Sequence, residues 1–445
     1  MRLSFACLLL ACATPQADAP AERGASPPPA PGRAAPVRGP EPAEELPTPD
    51  GDTSIHGALR TVDGQRVLHV WGTPREMGYA HGYLLREAIL GVVDGYALEA
   101  IPPVTFAAAA PVFAAAADVS PALREEAAGV IAGMEAAGGA RSAGLGRGLT
   151  SADLLLLNAM TDLVAIGCSS VSAWGAATAA EPRLDGELAI VRNLDWSPSP
   201  ALLESQVIIA YEPSDPRRQP LVSVAFAGYI GCLSCVNEAG VAGLFNMGYG
   251  DGAASMSQAA EGFAPANLLL REALGARDVD GDGRSSGEDV IKAVRGRRHA
   301  GSYIVHVVEP AKAAAAAGRP PARVLEIEAT GVATRRAEAG SRLGGEVLAA
   351  TNHLRAEQRP QACSRYRRIE SVVESRGRSL GLDALWSLGE SVRIDPQVVH
   401  TLLLLPGERS LKVRLRAPGE TMRGSPAGVW HTWAELFAAP PAGGA

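Results

Sequence analysis

Aromatic residues make up only 5% of this 445-residue chain. No uninterrupted apolar run reaches the ~18 residues that a membrane-spanning helix needs, so a multispan membrane protein is excluded. Excess positive charge is missing too. With 41 basic against 48 acidic residues the formal net charge is −7, which leaves no electrostatic footprint for nucleic acid. There is no internal repeat, and no second Cys-x-x-Cys that could complete a zinc site. What remains is 47% hydrophobic residues punctuated by 49 glycines and 33 prolines: a real core, in one large domain or two, with many loops.

The N-terminus reads as a processing segment. Arg2 is a minimal basic region and Leu3 to Ala11 a short apolar one. The following Leu9-Leu10-Ala11-Cys12 resembles the lipobox of bacterial lipoproteins, in which a small residue precedes a thiol that is diacylated. Residues 1–11 are thus expected to leave as a signal peptide and Cys12 to carry lipid. Ala13, where Asp would retain the protein at the inner membrane, resembles outer-membrane sorting, so the expected location is the outer membrane or periplasm. Residues 12–52 form the expected tether: residues 13–52 hold eleven of the 33 prolines and no aromatic. The lipid is the only membrane contact expected. Once Cys7 has left with the signal and Cys12 is acylated, four thiols remain in an oxidising compartment. Cys232-Leu233-Ser234-Cys235 suggests a local disulfide, or one to Cys363, ahead of a metal or redox pair; sequence leaves the pairing open.

Folding is expected to begin near residue 58, where ALRTV and QRVLHV flank Asp63-Gly64, a type I′ hairpin signal. Thr73-Pro74-Arg75-Glu76 is a capping box that opens a helix through Leu85, with Gly78 and Gly82 making a smooth face. Helices are predicted at 121–137 and 151–163. From Cys168 onward strand patterns dominate: CSSVSAWGAAT, ELAIVRNLDW, ESQVIIAYE, PLVSVAFAG and GVAGLFNMG, then SYIVHVVE, RVLEIEA, EVLAATNHL, VVHTLLLLP and SLKVRLRA. Helical stretches at 266–295, 364–376 and 382–391 interrupt them. Grouped helices between antiparallel-looking strands indicate α+β layers. The Ala313–Ala317 run reads as a surface insertion.

Gly167-Cys168 stands where a helical region gives way to a strand, and the next strand ends Arg192-Asn193-Leu194-Asp195-Trp196. Asn237-Glu238-Ala239-Gly240, Asn246, Asn352 and Ser364-Arg365 follow in order. This succession, over roughly residues 57–437, resembles the isopenicillin-N acyltransferase-like family of cysteine N-terminal nucleophile hydrolases. Conjugated bile acid hydrolases and acid ceramidase are similar at greater distance. The resemblance implies a four-layer αββα sandwich, made as one precursor that cuts itself between Gly167 and Cys168. The N-terminal chain (53–167) and the catalytic chain (168–445) would stay associated.

Chemistry supports that reading. A thiol is already nucleophilic, and an N-terminal Cys brings its own base, an α-amino group with pKa about 8. By the resemblance Arg192 favours the Cys168 thiolate and Asp195 orients the new amine. Asn246 supplies an oxyanion donor, Asn352 steadies the same intermediate, and Arg365 balances charge. Gly167, without a Cβ, is expected to let the backbone strain toward attack. The Cys-to-Arg spacing exceeds that of the bile acid hydrolases, consistent with a hairpin lengthened around 177–184, and Asn246 is one residue off their spacing.

Residues 278–289, DVDGDGRSSGED, carry a calcium-loop pattern. Asp278, Asp280 and Asp282 take positions 1, 3 and 5, Arg284 a backbone carbonyl, Ser286 position 9 and Asp289 position 12. ANLLLREAL before it and VIKAV after it supply helices, and the whole resembles the dockerin-type EF-hand variant. A structural calcium and no organic cofactor are expected. The expected activity is cleavage or transacylation of a linear amide, in a peptide, an acyl-amino acid, a peptidoglycan fragment or a lipid amide. The rivals are a non-catalytic calcium-binding surface lipoprotein with the same fold, and a papain-like thiol protease using His353 or His400.

Overall fold

The computed structural model describes residues 56–162, 167–250, 262–356, 363–421 and 428–438. The signal peptide, Cys12 and the tether lie outside them. In chain order the first strands are β1 (Gly57–Val62), β2 (Gln65–Gly72), β3 (Arg141–Ser142), β4 (Arg147–Gly148), β5 (Gly167–Ala173), β6 (Ala189–Asp195), β7 (Gln206–Pro213), β8 (Leu221–Phe226) and β9 (Ser234–Asn237). There follow β10 (Ala242–Met247), β11 (Tyr303–Val308), β12 (Ala322–Glu328), β13 (Gly331–Arg335), β14 (Val347–Ala350), β15 (Val398–Leu405), β16 (Ser410–Leu415) and β17 (Val429–His431). Nine of them form one sheet in the order β1-β2-β7-β8-β9-β10-β11-β12-β13, and six form another in the order β14-β5-β6-β15-β16-β17.

Side chains alternate across each strand, and that alternation builds three cores from two sheets. Ile208 and Ala210 of β7 point toward Ile190, Leu402 and Leu404 of the second sheet. Their neighbours Val207, Ile209 and Tyr211 face the opposite way, into a core shared with helices. Those helices are α1 (Pro74–Leu84), α2 (Pro121–Ala136), α3 (Ser151–Ala159), α4 (Ala266–Gly275) and α5 (Gly287–Arg295). Beyond the six-stranded sheet, Val171, Val191 and Leu403 pack on Ile369, Val373, Leu385 and Leu388 of α6 (Ser364–Ser375) and α7 (Leu382–Val392). Each fully buried Leu, Ile or Val contributes roughly 1.5–3 kcal/mol. The order helix, sheet, sheet, helix is the expected αββα sandwich.

Local signals hold. Asp63 and Gly64 both take positive φ (48° and 80°) between β1 and β2, and Thr73 and Glu76 cap α1 reciprocally. Gly78 and Gly82 of α1 meet Gly129 and Gly133 of α2 so closely that a Cβ on any of the four would overlap a backbone carbonyl oxygen of the other helix. Elsewhere the structure departs from expectation. The alanine run lies largely at the surface, with Ala313, Ala315 and Ala316 exposed, but it belongs to a helix, Ala311–Ala316, that buries Ala311 and Ala314, as alanine's helix propensity allows. A helix at Pro103–Ala116 buries Phe106, Ala110 and Phe113. The pairing of β2 with β7 is parallel. Among the described residues no single helix is long and apolar enough to cross a membrane.

Candidate active site

β5 and β6 pair antiparallel, with Gly167 opposite Asp195, Cys168 opposite Leu194 and Ser170 opposite Arg192. Alternation turns Cys168, Ser170 and Ser172 toward the nine-stranded sheet, where both serines meet His306 of β11 at 2.9 and 3.0 Å. Arg192 enters the same layer, fully buried. Its Nη2 lies 3.6 Å from Cys168 Sγ and donates to the Phe245 carbonyl at 2.6 Å, while Nη1 lies 3.1 Å from His400 Nε2.

Arg365, at the start of α6, reaches the same strand ends from the other side. Its Nη1 donates to the Cys168 carbonyl at 2.8 Å and to Asp195 Oδ2 at 3.2 Å, and Nη2 donates to Asn352 Oδ1. Asn352 Oδ1 also accepts the backbone N–H of Cys168 at 2.9 Å, and its Nδ2 donates to the Met247 carbonyl at 2.8 Å. The amide orientation is therefore fixed: Asn352 turns its oxygen, not its N–H, to Cys168. Asp195 Oδ1 accepts from the Ile394 N–H at 3.1 Å.

Asn246, fully buried on β10, donates through Nδ2 to the Thr351 carbonyl at 3.3 Å, and its Oδ1 has no hydrogen-bond partner among the described residues. It adjoins Phe245, whose carbonyl takes Arg192, but holds none of the described hydrogen bonds to Cys168. The φ of Gly167 is not in the left-handed region. Its missing side chain leaves room for Ile394 Cδ1 and the Asp195 Cβ, which a Cβ would approach to 2.8 and 3.1 Å.

Burial dominates the electrostatics. It pushes the Cys168 thiol above its ordinary range, against the pull of Arg192 and Arg365, and Asp195 adds to the rise. The Asp195 carboxyl is pushed up to about 6 by burial, although the Ile394 N–H, Arg365 and Arg192 oppose it. The site thus holds a neutral thiol beside the Arg192 guanidinium, with Arg365 on the Cys168 carbonyl.

Neither rival base is on the thiol. His400 Nε2 faces Arg192, and His353 stands edge-on to Tyr249 with ring centroids 5.5 Å apart. Among the described residues no hydrogen bond joins either imidazole to Cys168 Sγ. Cys232 and Cys235 are joined to each other, and Cys363 is free and buried, with Sγ 3.6 Å from Thr351 Oγ1. The contact of His400 with Arg192 escaped the sequence reading, as did Ser234, whose hydroxyl lies 3.3 Å from His400 Nε2. The signal was a lone imidazole inside the apolar run VVHTLLLL.

In the acidic loop, Asp278, Asp280 and Asp282 each offer a carboxylate oxygen, all within 4.8 Å of one another. Gly281 and Gly283 take positive φ (87° and 80°), which curls the loop round them. Asp289 accepts backbone hydrogen bonds within the loop. Its Oδ1 accepts the N–H groups of Val279 and Asp280 at 2.6 and 3.1 Å, and its Oδ2 that of Ser286 at 2.7 Å. Ser286 caps α5 through the Glu288 N–H at 3.2 Å.

No protein-family model matches the chain. Protein dcd1B of Dictyostelium discoideum is 28% identical over 184 residues, a match that spans 38% of this chain and 35% of that protein. This chain therefore matches only about a third of that relative's length. Among solved structures, an N-acylethanolamine-hydrolyzing acid amidase ortholog from Caenorhabditis elegans is 14% identical with a TM-score of 0.40, over 54% of this chain and 93% of that one. A penicillin V acylase from Agrobacterium tumefaciens is 11% identical (TM-score 0.37, 61% and 88% covered). A mutant conjugated bile acid hydrolase from Clostridium perfringens is 10% identical (TM-score 0.31, 59% and 96% covered).

Proposed function

We propose that this chain is an amide hydrolase of the N-terminal cysteine nucleophile type, which frees its own nucleophile by cutting between Gly167 and Cys168. The observation that carries the reading is the treatment of Cys168. The nitrogen that would become the α-amine is held by Asn352 Oδ1 at 2.9 Å, while Sγ lies 3.6 Å from Arg192. Arg365 ties the Cys168 carbonyl to Asp195.

In self-processing, Cys168 Sγ attacks the Gly167 carbonyl carbon, the C–N bond breaks, and the nitrogen leaves as the free amine. Water then hydrolyses the thioester and leaves Gly167 with a carboxylate. On substrate the α-amine takes the thiol proton as sulfur attacks the amide carbon, and passes it to the departing amine. Water releases the acid from the thioester; an acceptor amine would instead make a new amide, as the resemblance to isopenicillin-N acyltransferase-like chains suggests. Asn246 Nδ2 is the candidate oxyanion donor.

We further propose that Asp278, Asp280 and Asp282 hold a calcium ion, since three converging carboxylates are the hard oxygen donors that calcium takes. Its role there would be to brace the turn between α4 and α5. Export with a diacylated Cys12 completes the proposal.

Intact-mass analysis and terminal sequencing test the central claim. The wild type should separate into chains ending at Gly167 and beginning at Cys168, and Cys168→Ala should remain whole. The processed protein should then turn over members of a panel of acyl-amino acids, short peptides and fatty amides. An intact wild type with an unmodified peptide spanning 167–168 would overturn self-processing. A cut protein that turns over nothing would favour a binding lipoprotein.

A further inference from the structure

β15 runs through the layer between the sheets as a nearly wholly apolar strand, with His400 fully buried in it. Pairing with β6 sets His400 opposite Leu194, after an irregularity in the ladder between Val398 and His400. Such irregularities re-aim side chains. Here Nε2 lies 3.1 Å from Arg192 Nη1 and 3.3 Å from Ser234 Oγ. A guanidinium only donates, so Nε2 is the acceptor and the ring proton sits on Nδ1. Burial, with Arg192 alongside, holds the imidazole well below its ordinary titration range and keeps that lone pair open.

We propose that His400 is a positioning residue: by accepting the Nη1–H of Arg192 it fixes the guanidinium plane so that Nη2 stays aimed at Cys168 Sγ. The inference rests on the reading of Cys168 as nucleophile. Arg192 is a rigid planar fork, so anchoring one nitrogen orients the other. The need for an anchor is visible in its remaining contacts: Nε has no partner among the described residues, and Nη2 is shared between Sγ and the closer Phe245 carbonyl. Without His400 the buried Nη1 loses that acceptor, and among the described contacts the long 3.6 Å approach to Sγ is what remains to oppose rotation toward Phe245. Ser234 steadies the imidazole in turn, and the Cys232–Cys235 disulfide fixes the residues on either side of it. The other charged groups acting on the thiol, Asp195 from β6 and Arg365 from α6, have no hydrogen bond to His400.

The test compares His400→Leu and His400→Gln in the full chain. The readout is the rate at which iodoacetamide labels Cys168 as a function of pH, with the labelled peptide identified by mass spectrometry to separate it from Cys363. His400→Leu should slow labelling about tenfold at pH 7, equivalent to moving the thiol profile about one pKa unit upward. His400→Gln, whose Oε1 can accept in place of Nε2, should keep the wild-type profile within about twofold. Neither replacement is a base, so equal impairment of both would assign His400 another role and overturn the proposal. An unshifted profile in His400→Leu would overturn it as well. Should His400→Leu fail to fold, His400→Gln decides alone: a profile displaced by a full unit refutes the proposal, and a wild-type profile supports it. A wild type whose Cys168 takes no label at any pH would instead bring down the nucleophile reading itself, and this inference with it.

Discussion

Replacing Arg365 with Met in a Cys168→Ala chain should destabilise the protein far more at pH 8 than at pH 5. The Cys168→Ala background keeps the chain whole and preserves the backbone carbonyl that Arg365 holds at 2.8 Å. Arg365 Nη1 lies 3.2 Å from Asp195 Oδ2, and the Asp195 side chain is fully buried. Two unit charges ~4 Å apart at an effective dielectric of about 20 attract by about 4 kcal/mol. The Arg365 side chain is 16% exposed, so solvent screening leaves about half of that figure, roughly 2 kcal/mol. The pH sign follows from Asp195, whose carboxyl is pushed up to about 6 by burial, above the ~3.9 of an unfolded chain. Folded Asp195 binds its proton more tightly than unfolded Asp195 does, so its contribution to stability falls as pH rises from about 4 through 6. Without Arg365 the folded carboxyl is pushed higher still, and the fall extends to more alkaline pH. At pH 5 the carboxyl is mostly protonated in either chain and the ion pair adds little. The hydrogen bonds to the Cys168 carbonyl and Asn352 are lost at both pH values, at about 1 kcal/mol each. Urea unfolding should therefore give a loss of about 2 kcal/mol at pH 5 and about 4 kcal/mol at pH 8. Equal losses at the two pH values, or a larger one at pH 5, would refute the reasoning.

Gly82→Ala should destabilise by about 2 kcal/mol or more, because its Cβ would overlap the Val130 carbonyl oxygen and force α1 and α2 apart. Gly91→Ala, helical and with open space around it, should stabilise by about 0.5–1 kcal/mol, so thermal melts of the two variants should move in opposite directions. Millimolar calcium should raise the melting temperature of the wild type, and the double variant Asp278→Ala with Asp280→Ala should lose that rise; identical wild-type melts in chelator and calcium would remove the ion from the proposal. Metabolic labelling with an alkyne fatty acid should mark the wild type and not Cys12→Ala, and equal labelling of both would end the lipoprotein claim.

Features that local chemistry dictates were legible in the sequence. Asp63-Gly64 forms its turn because both positions tolerate positive φ, and Thr73 caps its helix with its own side chain. Elements that tertiary packing decides were not. Pro103–Ala116 carries an internal Pro111 and a run of alanines, so its helical period is faint until Phe106 and Phe113 find the core. β9 is four residues long and hidden in the cysteine motif. At the site, Cys168, Arg192 and Asp195 share one hairpin, whereas Asn352 and Arg365 arrive from 184 and 197 residues away. Spacing alone cannot predict such a meeting, and the resemblance supplied those positions. The partnership of His400 with Arg192 lay outside both sources, because nothing in VVHTLLLL says which ring nitrogen faces an arginine across the sheet.

The seam between β2 and β7 has a mechanical consequence. Among the described residues before 168, β1 and β2 are the strands of the nine-stranded sheet, and β2 lies beside β7 over six residue pairs, Val67 to Gly72 against Ile208 to Pro213. Arg60 also grips the carbonyls of Glu435 and Leu436 at 2.7 and 3.0 Å, and Gln65 that of Val413 at 2.9 Å. After the proposed cut before Cys168, no covalent backbone would link the proposed lipid on Cys12 to Cys168. The pull of the membrane would then pass sideways through a β-ladder, a shared core and a few arginine and glutamine clasps. Such a joint resists shear, because all its hydrogen bonds must break together, and its release would require unfolding the shared helical core along with the sheet edge, without breaking a single further peptide bond.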